Sequence, residues 1–204
     1  MDTLQQPIIL ILAYALFGYL LGSLSTAIIT CKLMGLPDPR TTGSNNPGAT
    51  NVLRSGGKKA AAITLIGDML KGVIPVLLVV LLDASSIAIA ITGLCAFLGH
   101  VFPVYYKFKG GKGVATLLGV LLGTSWMAGL GSIAVWLLVA FGLKYSSLAA
   151  LVAALFAPVQ IWYFTGSTEM AASTALMSLI LFWRHKSNVQ NLLAGKENKI
   201  GAKR

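Results

Sequence analysis

An all-α protein embedded in a lipid bilayer is the fold class this sequence predicts, and three observations predict it. Hydrophobic residues make up 56% of the 204-residue chain and charged residues only 11%, which leaves too little polar surface to coat a soluble globule of that size. The apolar residues are gathered into charge-poor stretches, and each is long enough for a hydrocarbon core that takes about 20 residues of helix per crossing. Nearly all of the basic residues fall between those stretches rather than within them.

Taken in order, the stretches run from Ile8 to Thr30, Ala60 to Leu82, Ile87 to Tyr106, Gly113 to Leu143 and Tyr145 to Trp183. The opening Met-Asp-Thr-Leu-Gln-Gln lacks the basic region of a secretory signal, so the first stretch reads as a retained helix. The first three are single crossings. The last two exceed one crossing, and are either two long tilted helices or four shorter ones turning near Thr124 and between Thr165 and Ser167. Charge favours seven crossings over five. With the N-terminus outside, the segments from Lys32 to Lys59, Lys107 to Lys112, Lys144, and Arg184 to Arg204 all fall inside, and the outer side carries Asp2, Asp83 and Glu169 without Lys or Arg. Five crossings would put Lys144 outside. The C-terminus is cytoplasmic on either count.

The chain reads as one domain, residues 1–204, with no internal repeat and a basic tail from Lys196 to Arg204. A formal charge of +10 raises nucleic acid as a partner, but cations gathered in cytoplasmic loops are the ordinary membrane pattern, and no nucleic-acid partner is expected. Cys31 and Cys95 make neither a disulfide framework nor a metal cluster.

Polar chemistry is concentrated in three inner segments, residues 41–59, 107–116 and 184–197. The first, Thr41-Thr42-Gly43-Ser44-Asn45-Asn46-Pro47-Gly48-Ala49-Thr50-Asn51 followed by Arg54, Lys58 and Lys59, is either a connecting turn or an anion site. Gly and Asn tolerate positive φ, so backbone N–H groups can converge on a phosphate while hydroxyls and an arginine add donors. In the second, Lys107-Phe108-Lys109-Gly110-Gly111-Lys112-Gly113 runs directly into an apolar helix, a form suited equally to snorkelling lysines or to phosphate at a helix N-terminus. It is not a Walker A loop, since the first glycine is absent and Gly113 stands where Ser or Thr is required. In the third, a helical continuation puts Arg184, Asn188 and Asn191 on one face and brings His185 near Asn188. The plain alternative there is a basic helix end.

Within the apolar stretches, Asp68 and Lys71 stand at i and i+3 and can pair, with Lys71 also able to extend toward the inner face. His100 reads as a buried hydrogen-bonding residue rather than a metal ligand, and no metal or other cofactor is expected. Three polar segments on one side and a nearly featureless opposite side describe a one-sided site. A transporter of small anions or lipids is the competing class, but transporters more often show repeats and midplane polar breaks.

At these segments the sequence resembles the bacterial membrane acyl-phosphate:glycerol-3-phosphate acyltransferases, the PlsY type, from the first helix to the tail. The residues that carry the resemblance are Gly43-Ser44 through Gly48-Ala49-Thr50-Asn51 with Arg54, Asp68 with Lys71-Gly72, Gly99-His100, Pro103 with Phe108 to Thr116, and His185, Asn188, Leu192, Gly195 and Glu197. Asn45 departs from the family's usual glycine, a mild change because asparagine also tolerates left-handed backbone. The resemblance implies a seven-helix bundle that transfers a fatty acyl group from acyl phosphate to glycerol 3-phosphate, giving lysophosphatidic acid and phosphate beside membrane lipids at the cytoplasmic face of the inner membrane. It further implies that Ser44, Arg54, Lys112, His185 and Asn188 are catalytic. Phosphate binding would be shared among these and Thr50, Asn51, Gly110, Gly111 and Gly113, with Asp68, Lys71, His100 and Glu197 in support.

Overall fold

The computed structural model describes residues 6–201, so Asp2 and the last three residues of the basic tail lie outside it. Among the described residues there is no strand, and the helices are α1 (Ile8–Gly22), α2 (Thr26–Leu33), α3 (Ala49–Leu81), α4 (Ser86–Val101), α5 (Val114–Thr124), α6 (Trp126–Leu143), α7 (Ser146–Thr165), α8 (Thr168–Arg184) and α9 (Lys186–Leu193), with a 3-10 turn at Val104–Tyr106 between α4 and α5. Five stretches are long and apolar enough to cross a membrane: Ile8–Leu33, Ala49–Leu81, Ser86–Tyr106, Trp126–Leu143 and Ser146–Thr165. The chain is therefore a multi-pass, all-helical membrane protein. Helix α5, with 11 residues, and α8, with 17, fall short of that length.

The two longest apolar stretches are each divided. Ser125 separates α5 from α6 and accepts a hydrogen bond from the Ala128 N–H, while Ser167 follows Gly166 and accepts from Met170 N–H. In both places a hydroxyl supplies the acceptor that the first turn of a new helix lacks. Two elements differ from the sequence reading. The first stretch is not one helix but α1 and α2, interrupted at Ser23 to Ser25. Residues 49–56, read as loop, form the opening turns of α3, set off from the rest by Gly57 at φ 77°.

The interruption between α1 and α2 leaves backbone groups without helical partners inside the protein. Lys71 Nζ donates to the Leu24 carbonyl at 2.7 Å and pairs with Asp68 Oδ1 at 2.9 Å, and Thr26 Oγ1 donates to the same carboxylate at 3.1 Å. Asp68 and Lys71 are both buried. The expected i, i+3 pair is thus present, and Lys71 is held at the break by Leu24 and Asp68.

Helix α1 packs on α4, α3 on α5, α6 on α7 and α7 on α8. The apolar centre is built from Val76, Phe97, Leu117, Leu121, Ile161, Met177 and Leu181. Large apolar side chains also cover the outside, among them Ile8, Leu138, Phe141, Tyr163 and Leu179, as expected where lipid rather than water is the solvent. At one end of the bundle the connections are tied to each other: Thr50 Oγ1 lies 3.3 Å from Ser146 Oγ, Arg184 reaches Gly110 and Gly111, and Ser147 reaches Glu197. The opposite end holds the α3–α4 turn, where Gln6 Oε1 accepts from Ser85 N–H at 3.1 Å.

Candidate active site

The first wall is the segment between α2 and α3. Asn51 is buried, and its whole amide is spent on the loop: Oδ1 accepts from the Ser44 N–H at 2.9 Å, and Nδ2 donates to the carbonyls of Pro39 and Thr42 at 2.8 and 3.0 Å. Asn51 therefore shapes the segment instead of offering free donors, and the Ser44 N–H is likewise occupied. What the segment presents outward is the Ser44 hydroxyl, Thr50 and the exposed Arg54. Thr50 and Arg54 stand four residues apart on the first turns of α3, on one helix face. Asn45 takes φ 55°, the left-handed conformation that asparagine tolerates.

The second wall is the glycine segment before α5. A Cβ on Gly110 would lie 2.1 Å from the His100 carbonyl oxygen, so only glycine fits against α4 there. Gly113 has φ 90° and turns the chain directly into α5 without any side-chain cap. The first N–H groups of α5 consequently lack intrahelical acceptors, and this helix end favours an anion. Beneath the segment, His100 is buried, its carbonyl accepts from Gly111 N–H at 3.2 Å, and its Nδ1 lies 3.7 Å from Asp68 Oδ1.

The third wall is the junction of α8 and α9, which the sequence reading took as one continuous helix. The chain breaks at His185, so Arg184 does not share a helix face with Asn188. Its Nε and Nη2 instead donate to the Gly111 and Gly110 carbonyls at 3.3 and 3.0 Å. Asn188 accepts a short hydrogen bond from Lys112 Nζ and donates to Glu197 Oε1 at 2.7 Å. That carboxylate also accepts from Ser147 Oγ at 2.6 Å. The chain after α9 folds back onto the α6–α7 turn, where Ile200 N–H donates to the Lys144 carbonyl at 2.7 Å.

Electrostatics follow from this crowding. Burial lowers the pKa of Lys112; Glu197 opposes the shift, and the charges of Arg184 and Arg54 add to it. An ammonium so placed gains from an incoming anion. His185 is buried, and burial pulls its pKa down to about 4. Its Nδ1 lies 2.8 Å from the Leu181 carbonyl. A carbonyl can only accept, so Nδ1 carries the proton and Nε2 is left as an acceptor. The imidazole is neutral near pH 7.

The structure thus brings Arg54, Lys112, His185, Asn188 and Glu197 within one charged neighbourhood, while Asp68, Lys71 and His100 form a buried base behind it. The sequence reading missed the α6–α7 turn, whose Ser146 and Ser147 touch Thr50 and Glu197. Its only signal was Lys144 on the predicted inner side, followed by Tyr145-Ser146-Ser147. It also missed the grip of Arg184 on the glycine segment.

Residues 12–195 match the family model described as glycerol-3-phosphate acyltransferase. The chain is 53% identical over 188 residues to a glycerol-3-phosphate acyltransferase of Methylococcus capsulatus, covering 92% of this chain and 95% of the relative. It is 54% identical over 191 residues to one of Thioalkalivibrio sulfidiphilus, covering 94% of each. Among solved structures it is similar to PlsY, an integral membrane glycerol 3-phosphate acyltransferase. The glycerol 3-phosphate form gives a TM-score of 0.89 at 38% identity, with 94% of this chain and 96% of that chain covered. The lysophosphatidic acid form gives 0.87 at 37%, with 94% and 95% covered.

His185 makes stability depend on pH. Between about 6.5 and about 4 the unfolded chain binds a proton that the folded chain refuses, so stability falls as pH drops through that window and levels off below it. Unfolding in detergent should show the wild type losing on the order of 3 kcal/mol more than His185→Asn across this range. Equal pH slopes for the two proteins would contradict a buried neutral imidazole.

Proposed function

We propose, on the premise that this chain belongs to the glycerol-3-phosphate acyltransferase family, that its acyl donor is acyl phosphate and that the cluster around Lys112 is where the transfer occurs. The protein is a membrane acyltransferase of phospholipid synthesis, with glycerol 3-phosphate as substrate. A transporter finds no support among its relatives. The observation that carries the site is the contact of Lys112 with Asn188 and of Asn188 with Glu197, which joins the second and third polar segments beside the uncapped start of α5.

In this reading a single acyltransferase domain presents segments 41–59, 107–116 and 184–197 to the cytoplasm from the bacterial inner membrane. Arg54, Lys112 and the first N–H groups of α5 hold phosphate charge, and Ser44 and Thr50 add hydroxyl donors. His185 and Asn188 orient glycerol 3-phosphate. A hydroxyl oxygen of glycerol 3-phosphate attacks the acyl carbonyl, the bond from that carbon to the phosphate oxygen breaks, and phosphate leaves with the electron pair. The hydroxyl proton passes to a substrate phosphate. A phosphate monoester has a second pKa near 6, whereas His185 sits at about 4, so the substrate is the better base and the neutral Nε2 suits hydrogen-bond acceptance. Preorganised cations beside the leaving phosphate supply the electrostatic part of the rate.

The same reading has seven crossings, with the N-terminus outside and the C-terminus inside. The α2–α3, α4–α5, α6–α7 and α8–α9 connections meet at one end of the bundle. At the other end the α3–α4 connection carries Asp83 and the first turn of α8 carries Glu169, without Lys or Arg, the charge asymmetry that sets orientation.

Purified protein should make lysophosphatidic acid and release phosphate when given an acyl phosphate and glycerol 3-phosphate. Turnover with acyl-CoA and none with acyl phosphate would reassign the donor. Single cysteines placed at residues 44, 109 and 187 in a cysteine-free background should resist an impermeant thiol reagent in intact cells; ready labelling at any of them would reverse the orientation. His185→Asn should keep most of kcat and raise KM for glycerol 3-phosphate. A collapse of kcat at unchanged KM, with loss of a histidine-like limb from the pH profile, would make His185 the base instead.

A further inference from the structure

Arg184 is the last residue of α8 and half-buried, and its guanidinium grips the glycine segment. Nε donates to the Gly111 carbonyl at 3.3 Å and Nη2 to the Gly110 carbonyl at 3.0 Å. From below, the Gly111 N–H donates to the His100 carbonyl at 3.2 Å, and Gly110 is pressed against the same backbone so closely that no Cβ fits. The Gly110–Gly111 peptide is thus held on both edges, by the arginine and by the His100 backbone, and the carbonyl of the next peptide by the arginine fork. Lys112 and the free N–H groups of α5 follow immediately along the chain. The arginine is itself anchored: its Cζ lies 5.7 Å from the centroid of the Trp183 ring, which packs on Phe102 at 6.3 Å, at the end of α4.

We propose that Arg184 is a positioning residue for substrate phosphate. It acts through the Gly110 and Gly111 carbonyls to hold the donors of Lys112, Gly113 and the α5 N-terminus in a binding geometry. This deepens the reading given above and rests on that reading's assignment of Lys112 and the start of α5 to phosphate. A peptide plane free to rotate would swing carbonyl oxygens toward the anion and blunt the helix end. With the Gly111 N–H held by the His100 carbonyl, turning the Gly111 carbonyl onto a cation directs the opposite edge of that peptide, the Lys112 N–H, away from Arg184 and toward the start of α5. Arg184 also directly precedes His185, so one residue sets the spacing between the phosphate segment and the residues that orient glycerol 3-phosphate. A planar fork can satisfy two carbonyls at once, which a single ammonium does less well.

The test compares wild type, Arg184→Met, Arg184→Lys and Lys112→Ala as purified full-length enzymes, measuring kcat, KM for each substrate and inhibition by inorganic phosphate. Arg184→Met keeps the apolar stem and removes every donor. It should stay folded and raise KM for a phosphate-bearing substrate about tenfold, weakening inhibition by inorganic phosphate to a similar extent, with a smaller change in kcat. Arg184→Lys keeps the charge but not the fork and should recover only part of that loss. Wild-type KM and phosphate inhibition in Arg184→Met, beside an inactive Lys112→Ala, would overturn the positioning role. Full recovery in Arg184→Lys would replace the fork with simple charge. Should Arg184→Met fail to fold, Arg184→Lys decides alone, a raised KM supporting the proposal and wild-type kinetics removing it. Wild-type kinetics in Lys112→Ala would instead overturn the underlying assignment of the phosphate site.

Discussion

The ion pair of Asp68 and Lys71 is the constraint on which the arrangement of the bundle depends. Breaking a helix inside an apolar protein exposes carbonyls that lipid cannot satisfy. Here the break between α1 and α2 is met by an ammonium from α3, which donates to the Leu24 carbonyl while its charge is balanced by Asp68. Thr26 at the start of α2 returns a hydroxyl to the same carboxylate, and Thr116 of α5 donates to the Asp68 carbonyl at 3.0 Å. The buried pair thereby ties α3 to the α1–α2 break and to α2, and the Asp68 backbone adds α5. Removing either partner would leave a buried charge unpaired, which is far costlier than never having placed the pair. His100 of α4 lies against it, and the glycine segment rests on His100.

Outward from that base the chemistry changes from balanced to unbalanced. Asp68 and Lys71 neutralise each other, whereas above them Arg54, Lys112 and Arg184 crowd together with Glu197 as the carboxylate beside them. Glu197 is itself engaged by Ser147 and Asn188, so it orients the asparagine that meets Lys112. In the proposed reading, a phosphate dianion would balance this excess of positive charge in a half-buried place. A neutral His185 adds no further cation and leaves an acceptor where hydroxyl chemistry needs one.

Patterns of charge and apolar length made the membrane class and the divided stretches legible from sequence, because hydrophobic runs and hydroxyl-bearing breaks at Ser125 and Ser167 are local signals. The pair at Asp68 and Lys71 was legible for the same reason, by spacing alone. Tertiary partners decided what was not legible. Near Ser23 the local signal is present, since Ser25 caps α2 as Ser125 and Ser167 cap their helices, but it stands inside an apolar run of single-crossing length, and the partner that makes the cut tolerable is Lys71, 47 positions from Leu24. The resemblance implied Asn51 as a phosphate ligand, whereas its amide is engaged by Pro39, Thr42 and Ser44, partners that only the folded loop supplies. Arg184 was expected on the α9 face because helical periodicity was carried through His185, where the backbone turns.

Helix α5 gives the proposed site its depth. Its 11 residues span about 16 Å, roughly half of a hydrocarbon core about 30 Å thick. In the proposed seven-crossing arrangement, a helix that short among longer neighbours would set its N-terminus in from the end of the bundle. The glycine segment and Lys112 precede it directly, and the partial burial of Lys112 accords with that arrangement. An amphiphilic donor whose phosphate anchors there can keep its acyl chain among apolar helices and still expose its carbonyl to a water-soluble acceptor. In the proposed reading the shortness of α5 would let a lipid-soluble donor and a water-soluble acceptor meet without either leaving its own solvent.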